Sequence, residues 1–311
     1  MSPIWVRRLS LANVVVNVAI VVTGGAVRLT GSGMGCPSWP NCAPGSFHAT
    51  PELGINGAIE WSNRLFGAVV AVVAIATFLA AVLRSPRRMS LVWLTGVIGV
   101  AVAAQALIGA ATVGSNLSPV MVSVHFLVSV GILAAALTAW VRSGEPDGVV
   151  RLTVSRPVRA LWWVLVGVSL AVILVGTLVT GAGPHAGDEN SPRSGLDPEL
   201  LSQAHADLVF LLIGVAIGLA FVLRVADTPR AALRRMWVLF AVITVQGLIG
   251  FVQYFTGLPV LLVGAHLLGA ALLWLAVLWV GVPMRERHAV PHDSDLPVMR
   301  DTSPATSAAA H

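Results

Sequence analysis

The sequence predicts an all-α integral membrane protein, with eight transmembrane helices arranged as two pseudo-symmetric four-helix bundles. Three observations carry this prediction: a shortage of charge, a series of long apolar runs, and a pattern in the first half that returns in the second. Of the 311 residues, 56% are hydrophobic and 11% charged, where a soluble domain carries roughly a quarter charged residues. A hydrocarbon core of ~30 Å needs about 20 apolar residues per helix. Lipid offers no hydrogen bonds, so each run must satisfy its own backbone as a helix.

In chain order the spans are 11–29, 59–83, 91–113, 119–141, 161–181, 204–224, 236–256 and 258–282. Gly257 and Pro259 suit a tight turn between the last two. The first run follows Arg7 and Arg8 but ends in no small-residue cleavage site, so it reads as a span and not as a cleaved signal. Every basic residue is an arginine. Arg84, Arg87 and Arg88 follow span two, Arg142, Arg151, Arg156 and Arg159 follow span four, Arg224, Arg230, Arg234 and Arg235 follow span six, and Arg285 and Arg287 follow span eight. The alternate loops hold almost none, with Arg193 the exception. The positive-inside rule then predicts a multi-pass protein of the cell (inner) membrane with both termini cytoplasmic. The lopsided charge suits anionic lipid of the bilayer and not nucleic acid. The expected organisation is an N-terminal half over 1–142, a cytoplasmic linker over 143–159, a C-terminal half over 160–283 and a disordered cytoplasmic tail over 284–311.

The halves repeat one another. Gln105-Ala106-Leu107-Ile108-Gly109 in span three returns as Gln246-Gly247-Leu248-Ile249-Gly250 in span seven. Each glutamine is followed one span later by a histidine, His125 and His266. Thr30-Gly31-Ser32-Gly33 after span one returns as Thr180-Gly181-Ala182-Gly183 after span five. Such internal self-similarity marks a duplicated unit, here a parallel repeat with its axis along the membrane normal.

His125, His205 and His266 all fall in the outer part of the membrane, because each lies near the start of a span that runs inward. The shift that relates the halves sets His205 opposite Asn63. Three of four equivalent positions are therefore histidine and the fourth is asparagine. A lone histidine in a span is as readily structural as functional, but three at matched places point to a site. Facing helices of a bundle can clamp a flat cofactor, and haem iron accepts axial imidazoles. His205 and His266 would form a bis-imidazole site suited to electron transfer. Zinc would need more ligands in one place, and a proton relay more acids within the spans.

Arg28 and Arg64 lie near the outer face, where guanidinium forks could meet haem propionates; for Arg28 the alternative is interfacial snorkelling. Glu60 is one turn before Asn63 on the same side of its helix, and as a carboxylate against an apolar bundle it is a candidate acid or base. A solvated interfacial glutamate is the alternative. Asp207 is a weaker candidate, and His48 and His185 read as exposed loop residues or as the lining of a substrate entrance. Cys36 and Cys42 share the first outer loop, on the oxidising side, which favours a disulfide over two free thiols. The glycines at 24, 25, 31, 33 and 35 lack the strand–loop–helix setting of a nucleotide loop and read as sites of close helix approach.

The run from Thr23 to Cys42, TGGAVRLTGSGMGCPSWPNC, resembles the first-loop signature of the haem A synthase family. The resemblance extends over nearly the whole chain through the eight spans, the two halves, the cysteine pair and the histidines. It implies an enzyme that oxidises the C8 methyl of haem O to the formyl of haem A by successive hydroxylations, for use by cytochrome c oxidase. It further implies haem B held by His205 and His266, a substrate haem ligated by His125, catalysis at Glu60 and a Cys36–Cys42 pair. The implied partners are a haem O synthase, the oxidase assembly machinery and an electron acceptor that the sequence does not name; a homo-oligomer stays open. The family usually shows Glu-x-x-His-Arg where this chain has Glu60-Trp61-Ser62-Asn63-Arg64. The expectation is that His125 alone holds the substrate iron and that Asn63 hydrogen-bonds a ligand or water on the open face. The alternative function is a non-enzymatic haem protein of electron transfer or oxidase assembly. A transporter would need a broken helix with a polar midplane site, and none stands out.

Overall fold

The computed structural model describes residues 1–226 and 228–289. Eight helices in it are long and apolar enough to cross a membrane: α1 (Pro3–Leu29), α2 (Gly54–Val82), α3 (Met89–Gly114), α4 (Pro119–Ser143), α5 (Arg156–Ala182), α6 (Pro198–Val225), α7 (Arg230–Phe255) and α8 (Val260–Val280). The chain is a multi-pass, all-α membrane protein. Most helices begin several residues before the predicted apolar runs, because their polar first turns are built from local caps. Proline occupies the first turn of α1, α4, α5 and α6, where its missing N–H costs nothing. The Asp197 carboxylate caps α6, accepting from the N–H of Glu199 at 2.9 Å and of Leu200 at 3.3 Å. The turn between α7 and α8 forms as expected, with Gly257 at φ +77° and Leu258 at φ +61° leading to Pro259 before α8.

α1 touches α2 and α4, and α3 touches α2 and α4, so the first four helices close a ring; α5 to α8 close a second in the same order. The rings meet where α1 lies against α8 and α4 against α5 and α8. A core of larger side chains fills the second ring, including Leu165, Leu212, Leu219, Met236, Leu239 and Trp274. The first ring is filled more thinly, by Val14, Ala74, Ile98, Ile132, Ala136 and Ala139 at its centre. Two indole N–H groups stitch α8 in place: Trp274 donates to the Val130 carbonyl at 2.9 Å and Trp162 to the Val277 carbonyl at 3.0 Å.

At one end of the molecule, β1 (Gly148–Leu152) pairs antiparallel with β2 (Arg285–Ala289). This corrects part of the expected disordered tail. Residues 285–289 form a strand, and the rest of the tail lies outside the described residues. The strand is held by charge: Glu145 pairs with Arg88 at 3.2 Å, Arg285 at 2.8 Å and Arg287 at 3.2 Å, while Asp147 pairs with Arg84 at 2.8 Å. Arginines that the sequence places just after spans two and eight thereby tie the start of α3, the α4–α5 connection and the chain after α8 together.

Candidate functional site

The histidines are positioned by the same device in three places. Each ring packs closely against a glycine on the preceding helix, where an added Cβ would press on the imidazole. A Cβ at Gly109 would lie 3.4 Å from the His125 Cε1, at Gly176 3.1 Å from that of His205, and at Gly250 3.3 Å from that of His266. The repeated glutamines fix the histidine backbones. Gln105 Nε2 donates to the His125 carbonyl at 2.9 Å, and Gln246 Nε2 to the His266 carbonyl at 2.8 Å. Gln105 also donates to the Ser129 hydroxyl at 2.6 Å, whereas Gln246 fits directly against Gly269.

In all three histidines Nδ1 is buried without a hydrogen-bond partner, which is uncommon for a buried polar atom. His205 and His266, on α6 and α8, stand diagonally across the second ring with ring centres 6.4 Å apart and planes at 62°. Two metal–nitrogen bonds of ~2 Å, each with ~1 Å more to the ring centre, span roughly 6 Å. The pair is therefore spaced as two axial imidazoles would be. Among the described residues no group of three or more His, Cys, Asp or Glu gathers around a metal position; an axial pair needs only two protein ligands, the flat group supplying the rest.

In the first ring, Asn63 stands where the repeat would put a fourth histidine. The Thr23 hydroxyl, on α1, donates to its Oδ1 at 2.8 Å, fixing the amide so that its NH2 group is left for another acceptor. The neighbouring Glu60 is only 5% exposed. Its Oε2 accepts from the Cys36 N–H at 2.6 Å and its Oε1 from Arg64 Nη2 at 2.6 Å and Nε at 3.2 Å. Glu60 is thus neither a solvated glutamate nor a free base. Oε2 holds the Cys36 loop directly, and Oε1 holds it through Arg64 of the same helix. This fixed geometry suits an electrostatic role, while Oε2, with one donor, keeps a lone pair that could take a proton.

Arg64 is not free for a propionate. Besides Glu60 it donates to the carbonyls of Ser38 at 2.8 Å, Asn41 at 3.3 Å and Cys36 at 3.2 Å, which occupies its whole fork. The loop it clamps contains a Cys36–Cys42 disulfide, both sulfurs being fully buried. Gly35 sits so close to the Asn56 carbonyl that no Cβ fits, and Gly25 likewise meets Leu267, so these two glycines do serve close approach. Arg28 does not snorkel: its Nη2 donates to the Thr180 carbonyl at 2.8 Å, joining the C-terminal ends of α1 and α5. His185 is no exposed loop residue either, since its Nε2 bonds the Leu258 carbonyl at 2.9 Å. Asp207 is exposed and accepts from Gln203 at 2.8 Å, and His48 is exposed. An apolar cleft of ≈ 650 Å³ between α6 and α7, lined by Ile217, Phe221, Trp237 and Phe251 among others, lies mainly toward the other end of α6 from His205.

Residues 7–186 match the family described as Cytochrome oxidase assembly protein, COX15-CtaA. The chain belongs to this family. The match covers the first ring from residue 7 of α1 onward, together with α5 and the glycine against His205. A protein named Heme A synthase from Bacillus licheniformis is 30% identical over 144 residues, 45% of this chain and 46% of that protein. Proteins named Protoheme IX farnesyltransferase from two strains of Thermus thermophilus are 29% identical over 240 residues, 70% of this chain and 38% of theirs. The alignments thus span less than half the length of each of these relatives.

Proposed function

We propose that this family member is a haem A synthase of the cell membrane with cytoplasmic termini, an oxidoreductase that converts the C8 methyl of haem O to the formyl of haem A. The observation that carries the reading is the His205–His266 pair, two imidazoles 6.4 Å apart across a membrane bundle, each packed closely against a glycine of the preceding helix. His205 and His266 hold haem B in the C-terminal half; this group supplies one-electron chemistry when bound. The N-terminal half takes haem O as substrate, with His125 as its iron ligand. Two successive two-electron oxidations hydroxylate the substrate methyl, four electrons in all passing to an external acceptor, and the resulting geminal diol loses water to give the aldehyde. Glu60, a buried carboxylate fixed by Arg64 and the Cys36 N–H, stabilises positive charge that develops near the methyl. The disulfide loop that Glu60 holds covers this site from the outer side. Similarity to proteins named Protoheme IX farnesyltransferase supports a neighbouring step, in which a farnesyl-attaching enzyme supplies haem O, and the family description supports delivery of haem A to cytochrome oxidase.

The test is to co-express the chain with a haem O synthase, extract the haems and identify them by chromatography and mass. Haem A or its hydroxylated precursor is the expected product. Haem B alone, with haem O abundant, would instead support the second reading, a non-enzymatic haem protein of electron transfer or assembly. Asn63 in place of a fourth histidine is the observation that favours that alternative.

A further inference from the structure

The geometry points to a carboxylate-binding pair, Arg28 of the first half and Arg193 of the second, that holds the propionates of the haem between His205 and His266. This rests on the haem reading above and adds to it the residues that recognise the acid edge of the group. Arg193 is the exception to the placement of arginine in this sequence, standing in an outer loop that otherwise carries acids. The loop folds back over the end of α1. Gly187, at φ +105°, sits where a Cβ would be 3.6 Å from the Arg28 Cγ, and the Gly33 N–H donates to the Gly187 carbonyl at 2.8 Å. The Ser194 N–H donates to the Gly181 carbonyl at 3.0 Å, which sets Arg193 beside the Thr180 carbonyl that takes Arg28.

Two like charges are thus held together at the outer face. Neither has a carboxylate within ion-pair distance among the described residues, although Asp188 and Glu189 share the loop. Their protein partners are neutral carbonyls: Thr180 for Arg28, and Pro184 at 2.7 Å and Ser191 at 3.3 Å for Arg193. Each guanidinium keeps N–H groups for another acceptor, and an unneutralised pair calls for a ligand with two negative groups. The pair lies beside the histidine pair. Gly25 and Leu29, flanking Arg28 on α1, pack against Leu267 and Gly264, which flank His266 on α8. Arg193 precedes α6, and His205 is about two turns into that helix.

The test compares haem B with its dimethyl ester, which keeps the ring and iron but lacks carboxylates. The full chain, purified from a haem-deficient host, is titrated with each, reading the absorbance of the low-spin bis-imidazole complex. The intact protein is expected to bind haem roughly tenfold or more tighter than the ester. Arg193→Gln and Arg28→Gln are expected to bring haem affinity down toward that of the ester while leaving the ester unchanged. The ester serves as the folding control, which matters most for Arg28→Gln because it also loses the bond to Thr180. Equal binding of haem and ester by the intact protein, both low-spin, would overturn the arginine assignment and leave the histidine pair standing; a lipid phosphate between the arginines would produce that result. An unchanged preference in Arg193→Gln would overturn it too. No low-spin complex with either compound would overturn the haem reading, and the arginine assignment with it.

Discussion

His125 and His266 have nearly interchangeable surroundings. Each rests on a glycine one helix back and has its carbonyl held by a glutamine, with distances that agree within 0.1 Å. The helices diagonal to them differ. α6 offers His205, while α2 offers Asn63, pinned by Thr23, and next to it Glu60, pinned by Arg64 and the disulfide loop. One duplicated frame thus carries a closed pair of imidazoles in one half and a single imidazole with an amide and a buried carboxylate in the other. A closed pair leaves no open position at a metal and suits electron transfer, whereas a single ligand leaves one face for chemistry. The two halves thus share a manner of packing and differ in the few residues that face one another across it.

The contrast can be broken outright by His266→Ala. This variant is expected to abolish the low-spin haem spectrum of the C-terminal half, while His125→Ala leaves that spectrum in place; equal loss in both would contradict the assignment of separate sites. Glu60→Gln is expected next in size, slowing methyl oxidation about 100-fold while haem at His205 and His266 is retained, as read from product haem and the spectrum of the same sample. Full activity would remove Glu60 from the reaction. Asn63→His should make the first half resemble the second, converting the haem-loaded site from an open, high-spin form to a six-coordinate, low-spin one. An unchanged spectrum would mean that Asn63 does not face the iron.

Smaller effects grade the frame itself. Gly176→Ala should crowd His205 more than Gly109→Ala crowds His125, because the added carbon would sit at 3.1 Å instead of 3.4 Å. Because both variants gain the same helix propensity, about 1 kcal/mol, the difference in crowding is read as a lower melting temperature of Gly176→Ala than of Gly109→Ala, and a reversed order would show that the rings move freely. Glu145→Gln should cost least at the histidines. It weakens the ion pairs that bind β2 to the α3 and α4 ends, lowering thermal stability in a salt-dependent way without changing the haem spectrum.

Much of this was legible in the chain. Eight spans follow from hydrophobicity, and the duplicated Gln–His spacing marks the histidines that the structure finds seated on glycines. The purpose of the glutamines was not legible, because their bond crosses from one helix to the carbonyl of the next. Nor was the use of Arg64. Near an outer face it reads as a free anion ligand, and only the folded loop brings three carbonyls and Glu60 to its fork. The strand at 285–289 was missed because its sequence is polar and short, and its stability comes from Glu145, far away in the chain.

By itself, the sequence determined what depends on local chemistry: which segments must be helices in lipid, where proline and glycine begin and end them, and which residue types recur at a fixed spacing. Tertiary structure decided which of those residues act together. His205 met His266, Glu60 met Cys36 and Arg28 came to Arg193 only once the two rings had closed and docked. The physical reason is that helix formation is settled within a few residues by hydrogen bonds of short range. A site is settled by which helix faces meet, and that depends on packing across the whole bundle.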